Sequence, residues 1–194
     1  MPYDEYDLPL VVNADGAKLK IRKKCEHRHI LRCIKVLNDV SLPIECRNYC
    51  AFVMFYENYK DAVTDNQQVT AVREMMRIIS ATSKADYESS AKKANNKPSL
   101  VNWEKDYKYI APAVSKVLGY DIRTPQKYTH WWTFISAYME TKDSYFNQIV
   151  AIRSKRQKNK NLEKWEKEFL VENYDDIVLS TLTPEEEAWL NSEW

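Results

Sequence analysis

Residues 124–139 read TPQKYTHWWTFISAYM, and this stretch decides the fold class. Thr124 is a favoured N-cap residue, and Pro125 suits the first position of a helix. Large side chains then recur every three or four residues, as the buried face of an amphipathic helix requires. They are Tyr128, Trp131, Trp132, Ile135 and Met139. Because adjacent residues of a helix point about 100° apart, we expect one tryptophan to anchor the core and the other to cover a second helix or a partner.

The same period predicts three helices on the amino-terminal side of this stretch. One begins near His29, a second follows Pro43, and a third covers residues 66–80. The second is apolar most of the way round, so we expect it to be central. Its predicted buried face consists of Cys46, Tyr49, Cys50, Val53 and Met54. The predicted stripe of the third consists of Val69, Val72, Met76 and Ile79.

Two more helices are predicted from the same pattern. The first runs from Trp103 to Gly119, which suits a C-terminal cap, and Pro112 predicts a kink or break within it. Asp143 is placed to cap the second. The apolar side of that helix includes Phe146, Ile149, Val150 and Arg153.

Glycine usage excludes several classes of enzyme. The chain has 194 residues and two glycines, Gly16 and Gly119. Walker, Rossmann and α/β-hydrolase sites need glycines close together, so these folds are excluded. Asp15-Gly16 between short apolar runs predicts a β-hairpin. The predicted fold is mainly α: a helical bundle of about six to eight helices with a small N-terminal β-hairpin.

Residues 82–99 are polar and have almost no bulky apolar side chain. This composition predicts a linker between a hairpin-plus-helices region, residues 1–81, and a helical region with an acidic tail, residues 100–194; the two regions could also form one combined domain. No apolar run is long enough to span a membrane, and the acidic start is unlike an export signal. We expect a protein of a reducing cytoplasm.

The cysteines are the obvious candidate metal ligands: Cys25, Cys33, Cys46 and Cys50. Although His27 and His29 lie beside the first of them, the spacing fits no paired zinc pattern. The three histidines offer no nucleophile and base at a supporting spacing. We therefore expect free thiols, no metal, no cofactor and no catalytic residues.

The net charge is only +1, and this near-neutral balance argues against a protein whose whole surface binds nucleic acid. Near the carboxyl terminus, however, basic and acidic residues are separated into two blocks. A basic block contains Arg153, Lys155, Arg156, Lys158, Lys160, Lys164 and Lys167. An acidic block contains Glu172, Asp175, Asp176, Glu185, Glu186, Glu187 and Glu193. The blocks can pair within one chain or between chains of an oligomer.

Several motifs in a fixed order carry a resemblance to a known family. They are Leu8-Pro9, the hairpin with Asp15-Gly16, Trp103-x-x-Asp106-x-x-Tyr109-Ile110, His130-Trp131-Trp132-x-Phe134, and Ile149-x-x-Ile152-Arg153 before a lysine-rich helix. Between Leu8 and Glu172 the chain resembles the tail assembly chaperones of long-tailed siphophages of Gram-positive hosts and of their prophages.

The resemblance implies a non-enzymatic helper that coats the tape-measure protein in the host cytoplasm while the tail tube polymerises, and that is absent from the virion. The tail-tube protein, a longer companion chaperone and further copies of the chain are the other expected partners. Candidate partner-binding or core-anchor residues are Trp103, Tyr109, Trp131, Trp132 and Arg153. Candidate oligomerisation residues are Lys155, Arg156, Lys158, Lys160, Glu172, Asp175, Asp176, Glu185, Glu186 and Glu187. The alternative is a helical nucleic-acid-binding protein with a basic patch, whose affinity would fall steeply with salt.

Overall fold

The computed structural model describes residues 8–91 and 99–179, which contain nine α-helices and one two-stranded sheet. The elements are β1 (Val11–Ala14), β2 (Ala17–Lys20), α1 (His27–Leu37), α2 (Ile44–Phe55), α3 (Asp65–Ile79), α4 (Lys84–Ala91), α5 (Trp103–Leu118), α6 (Trp131–Met139), α7 (Tyr145–Gln157), α8 (Lys164–Glu172) and α9 (Tyr174–Ile177). The prediction of a mainly α fold with an N-terminal hairpin is confirmed. Within the described ranges, no helix is long and apolar enough to cross a membrane.

The chain divides into two compact units. The first unit contains the described residues of Met1–Asn96 together with Val114–Glu140, and the second contains those of Lys97–Ala113 and Thr141–Trp194. The division falls inside α5, shortly after Pro112. Helix α4 occupies part of the predicted linker 82–99, whereas residues 92–98 lie outside the described residues, so the linker stays a prediction.

The hairpin forms where the sequence predicts it. β1 and β2 pair antiparallel from Val11 opposite Lys20 to Ala14 opposite Ala17. Asp15 (φ 48°) and Gly16 (φ 92°) form the two-residue turn, and positive φ at both positions suits the right-handed twist of the strands. The hairpin is extended by backbone contacts with the end of α2, since the carbonyl of Lys20 accepts from the amide of Glu57 at 2.9 Å. Its inward side chains are buried: Val12, Ala14, Ala17 and Leu19.

The predicted buried face of α2 is wrong. Ala51, Phe52 and Phe55 are buried, whereas Cys46, Tyr49 and Cys50 are exposed and Val53 and Met54 are half-buried. The helix has apolar residues on both sides, and the side with the two phenylalanines buries the larger apolar area. Periodicity could not choose between the two sides, because both have helical spacing.

The predicted stripe of α3 is also wrong, by one position. Ala71, Met75 and Ile78 are buried, and Val69 is 68% exposed. A shift of one residue rotates the stripe by about 100°. Tyr56 packs against this side and donates its hydroxyl proton to the carbonyl of Ala71 at 2.9 Å.

The starts of two further helices differ from the prediction. Helix α6 does not begin at Thr124, because a turn follows Thr124, with its carbonyl accepting from the amide of Lys127 at 3.0 Å, and His130, which has an extended backbone, is the N-cap. The N-cap of α7 is Ser144 rather than Asp143. Helix α5 ends as predicted, with Gly119 at φ 75° directly after it. The basic block does not lie on one helix, since α7 ends at Gln157 and α8 begins at Lys164.

The cysteines are all free thiols in two different environments. Cys25 and Cys33 are buried, and burial raises the pKa of each thiol to about 12. Cys46 and Cys50 are exposed. Among the residues that the structure describes, no group of histidine, cysteine or acidic side chains is placed to hold a metal ion.

Candidate functional site

The aromatic candidate residues lie at the end of α3 in the first unit. Trp131 is 1% exposed, and Trp132 is half-buried. The indole N–H of Trp131 donates to the carbonyl of Ile79 at 2.9 Å, and that of Trp132 donates to the carbonyl of Ile78 at 3.0 Å. The last carbonyls of a helix have no partner inside the helix. The two adjacent tryptophans therefore satisfy the end of α3 and join it to α6.

His130 connects α6 to the amino-terminal end of the described chain. Its Nδ1 accepts from the amide of Trp132 at 3.0 Å, and its Nε2–H donates to the carbonyl of Pro9 at 3.2 Å. A carbonyl only accepts, so this geometry requires the neutral ring with its proton on Nε2. Burial lowers the pKa of His130, although the bond to Pro9 opposes this effect. The histidine is therefore a helix cap and a cross-link at once.

The other two histidines also donate to main-chain carbonyls. His27 Nδ1 lies 3.3 Å from the carbonyl oxygen of Thr129, and His29 Nε2 lies 2.9 Å from that of Met54. The His27 ring stacks on Phe134, with centroids 5.0 Å apart. All three histidines of the chain thus hold backbone segments in place.

Glu26 completes this region as the N-cap of α1. Its carboxylate accepts from the amide of His29 at 3.1 Å and pairs with Arg28 and His27. Burial would raise the pKa of Glu26, but the hydrogen bonds from His27 and Arg28 outweigh it and hold the pKa at about 2. The carboxylate is therefore charged at neutral pH, and its oxygens are used to cap α1 and to bind Arg28 and His27.

Arg153 is the centre of the second unit. It is 5% exposed, and its guanidinium binds both carboxylate oxygens of Asp106, at 2.7 and 2.9 Å. Asp106 has no exposed surface and also accepts from the amide of Asn102. The remaining guanidinium donors bind three main-chain carbonyls, those of Leu100, Asp176 and Ile177. All five N–H donors of the guanidinium are thus used.

Tyr109 and Asp176 join this cluster. The hydroxyl of Tyr109 donates to Asp176 Oδ2, and Lys108 Nζ lies 2.9 Å from Oδ1. The hydroxyl of Tyr109 and the ammonium of Lys108 lower the pKa of Asp176. The structure thus brings three candidate residues together, Tyr109, Arg153 and Asp176. Trp103, the remaining candidate residue of this unit, is half-buried and is the first residue of α5.

The charge blocks are partly paired within the chain. Lys155 Nζ lies 2.7 Å from Glu166, and Asp176 is bound as described. Lys158, Lys160, Glu172 and Asp175 are exposed, and Arg156 is half-buried. Glu185, Glu186 and Glu187 lie outside the described residues.

Sequence reasoning named Arg153 but missed its partner. Asp106 and Arg153 are each a charged residue in an otherwise apolar helical stripe, and charges at such positions are stable only when they are paired. That shared signal could have found the pair. The carbonyl partners carried no such signal, because every residue has a carbonyl.

We expect Arg153→Lys to lower the free energy of unfolding by about 3–5 kcal/mol, because lysine has three donors at one point and leaves buried acceptors unpaired. A urea titration followed by circular dichroism measures the change. The matched control is Arg123→Lys, since Arg123 pairs with Asp121 on the surface and should matter by about 1 kcal/mol or less. Equal, small effects in both variants would contradict the structural role of Arg153.

The neutral ring of His130 predicts a loss of stability in mild acid. The pKa in the folded state lies below the unfolded value of 6.5, so the unfolded chain binds more protons and the free energy of unfolding falls as pH drops below about 6.5. His29 acts in the same direction because burial lowers its pKa too. In His130→Asn, which keeps a favoured N-cap, we expect a smaller loss between about pH 8 and pH 5. Identical pH slopes in urea titrations of the two proteins would show that His130 does not titrate as described.

A family model described as Bacteriophage Gp15 protein matches residues 6–175, which include the described elements from β1 to α8. No curated protein matches the chain, and no solved structure does. The expectation of a phage protein is thereby confirmed. The chain belongs to the bacteriophage Gp15 protein family.

Proposed function

We propose that this phage protein is a tail assembly chaperone, which binds and coats the tape-measure protein during tail-tube polymerisation. It acts in the host cytoplasm, without enzymatic activity, and leaves before the virion is complete. One observation carries the proposal: the three histidines and Arg153, which are side chains of types common in catalytic and ligand sites, hold main-chain carbonyls instead. Such a protein works through its surface.

The surface of the first unit suits weak apolar contacts. Several large aliphatic side chains are more than two-thirds exposed: Val40, Val63, Val69 and Met139. Exposed apolar groups favour association with apolar helices of a partner. Many weak contacts along a long partner give strong total binding without a tight single contact. A growing tail tube could then displace one copy after another.

We also propose that the chain associates with itself through the exposed parts of its charge blocks. Lys155 and Asp176 already form ion pairs within the chain. The contact between copies is therefore made by Lys158 and Lys160 of one copy and the acidic block of the next. Exposed pairs contribute about 0–1 kcal/mol each and are screened by salt. The association is therefore reversible. Contacts with the tail-tube protein and with a longer companion chaperone belong to the same proposal.

A nucleic-acid-binding role is the second candidate. Lys158, Lys160 and Lys164 are exposed, and Trp165 among them is 50% exposed. Basic residues around an accessible aromatic ring are typical of surfaces that bind single strands. Fluorescence anisotropy with a labelled single-stranded oligonucleotide tests this role. Binding that weakens steeply with salt would favour it over the chaperone.

Co-expression tests the chaperone proposal directly. We expect the tape-measure protein of the same phage to stay in the soluble fraction and to co-purify with this chain, because bound copies cover its apolar surface. An unrelated helical protein of similar size, expressed to the same level, is the control. Tape-measure protein that is equally insoluble with either partner would refute the proposal, and so would this chain in purified virions.

Light scattering tests self-association. We expect particles at low salt that become smaller as salt rises, and that shrink when the chain is truncated after Leu179 or carries Lys158→Glu and Lys160→Glu. This truncation keeps Asp176 and Ile177, whose carbonyls bind Arg153. A monomer under all conditions, or an oligomer indifferent to salt and to both variants, would exclude assembly through the charge blocks.

A further inference from the structure

Helix α2 has an outward face without any acidic or basic residue. This face, called the α2 outward face, consists of Cys46, Tyr49, Cys50 and Val53, which lie on one side of the helix because their spacings are three, one and three. It lies opposite the buried Ala51, Phe52 and Phe55. Tyr49 is 57% exposed and both thiols are exposed.

Such a face is unusual for a helix at a protein surface. The outward side of a surface helix is normally charged or polar, and a helix that is apolar on all sides is normally covered on all sides. The first unit therefore covers one side of α2 and leaves Cys46, Tyr49 and Cys50 on the other side exposed.

We propose that the α2 outward face is the docking surface for an uncharged helical stripe of the tape-measure protein. The proposal rests on the proposed function and names the surface that performs it. The occupant is a helix because a row of side chains at helical spacing packs best against another such row. Its stripe lacks charges because a charge opposite this face would lose water without gaining a partner.

The size of the face favours a long partner over a second copy. From Cys46 to Val53 the helix rises by about 10 Å, and with a helix width of about 10 Å the face offers on the order of 100–200 Å². A stable pair of proteins buries about 800 Å² on each partner. Two copies joined through this face alone would not stay together. A long helical protein that binds many copies accumulates enough contact, since weak sites on one partner reinforce each other.

The side chains suit a close but reversible contact. Tyr49 offers a large, rigid ring of the kind that dominates interface energies. Cys46 and Cys50, one helical turn apart beside it, are small enough for another helix to approach the backbone.

The cysteines also provide a direct readout. A thiol reagent attacks the thiolate of an accessible cysteine. Cys46 and Cys50 are exposed, whereas Cys25 and Cys33 are buried and the pKa of each is raised to about 12. A maleimide should therefore label the full native chain at Cys46 and Cys50 only, and mass spectrometry of peptides identifies both sites.

The experiment uses overlapping tape-measure fragments, made as soluble fusions, with the full native chain. We expect the fragment that binds to slow the labelling of Cys46 and Cys50. In Cys46→Lys the same fragment should bind about tenfold more weakly or worse, because the ammonium would lose water on docking. Val117→Lys is the matched control: it places lysine at another exposed apolar helical position, on α5, that has no part in the proposed contacts, and it should change binding by about twofold or less.

Each outcome bears on the proposal differently. Protection of both thiols together with weaker binding by Cys46→Lys alone supports it. Equal binding by the native chain and both variants overturns the docking surface but leaves the proposed function intact. If no fragment binds the native chain, the proposed function and the docking surface both fail. If the thiols become protected when the chain alone is concentrated, a second copy covers the face and the assignment to the tape-measure protein is wrong.

Discussion

A polar group that folding removes from water must find a hydrogen-bond partner, and both units of this chain depend on that constraint. In the first unit, ring donors of His130 and the two adjacent tryptophans bind carbonyls of Pro9 and of the last residues of α3. In the second unit, Arg153 gathers three carbonyls around its pair with Asp106. These contacts join segments far apart in sequence. The described residues have one small sheet, so side-chain donors make long-range connections that strands make in other folds.

This use of side chains separates the structural residues from the surfaces available for binding. The three histidines and Arg153 are buried and hydrogen-bonded, and changing them should affect stability first. The exposed groups are simpler: an uncharged face on α2, scattered aliphatic side chains, and lysines between α7 and α8. Under the proposed function, each of these offers a weak contact that salt or a competing subunit can reverse. Stability and binding can then be altered by different substitutions.

The candidate residues illustrate how far a sequence predicts a site. Arg153 and the His130–Trp132 segment stand out because of their residue types, and the structure gives His130, Trp131 and Arg153 buried positions with long-range partners. Their carbonyl partners could not be assigned from the sequence, since carbonyls have no residue-specific signal. Asp106 did carry a signal, because it is a charged residue in an otherwise apolar helical stripe. For the charge blocks, the sequence predicts the signs of the charges but not which residues pair. Composition reveals their opposite signs, but Lys155 pairs with Glu166, an acid within the basic stretch, rather than with the acidic block.

By itself, the sequence determined the features that arise from neighbouring residues. Asp15-Gly16 determined the hairpin turn because both residues tolerate positive φ. Gly119 determined the end of α5 for the same reason. The helical period of the apolar residues determined that the chain is mainly helical. Only the tertiary structure decided which sides of α2 and α3 are buried. Both sides of α2 are apolar, and helical spacing on α3 fits two stripes that differ by one residue. Contacts such as that of Tyr56 with Ala71 select between them. It also decided that α6 starts at Trp131 rather than after Thr124: the amide of His27 donates to the carbonyl of Thr129, and His130, which has an extended backbone, caps the helix. Local signals fix where the chain turns and which structure it forms, whereas the choice of face depends on contacts between residues that no local signal connects.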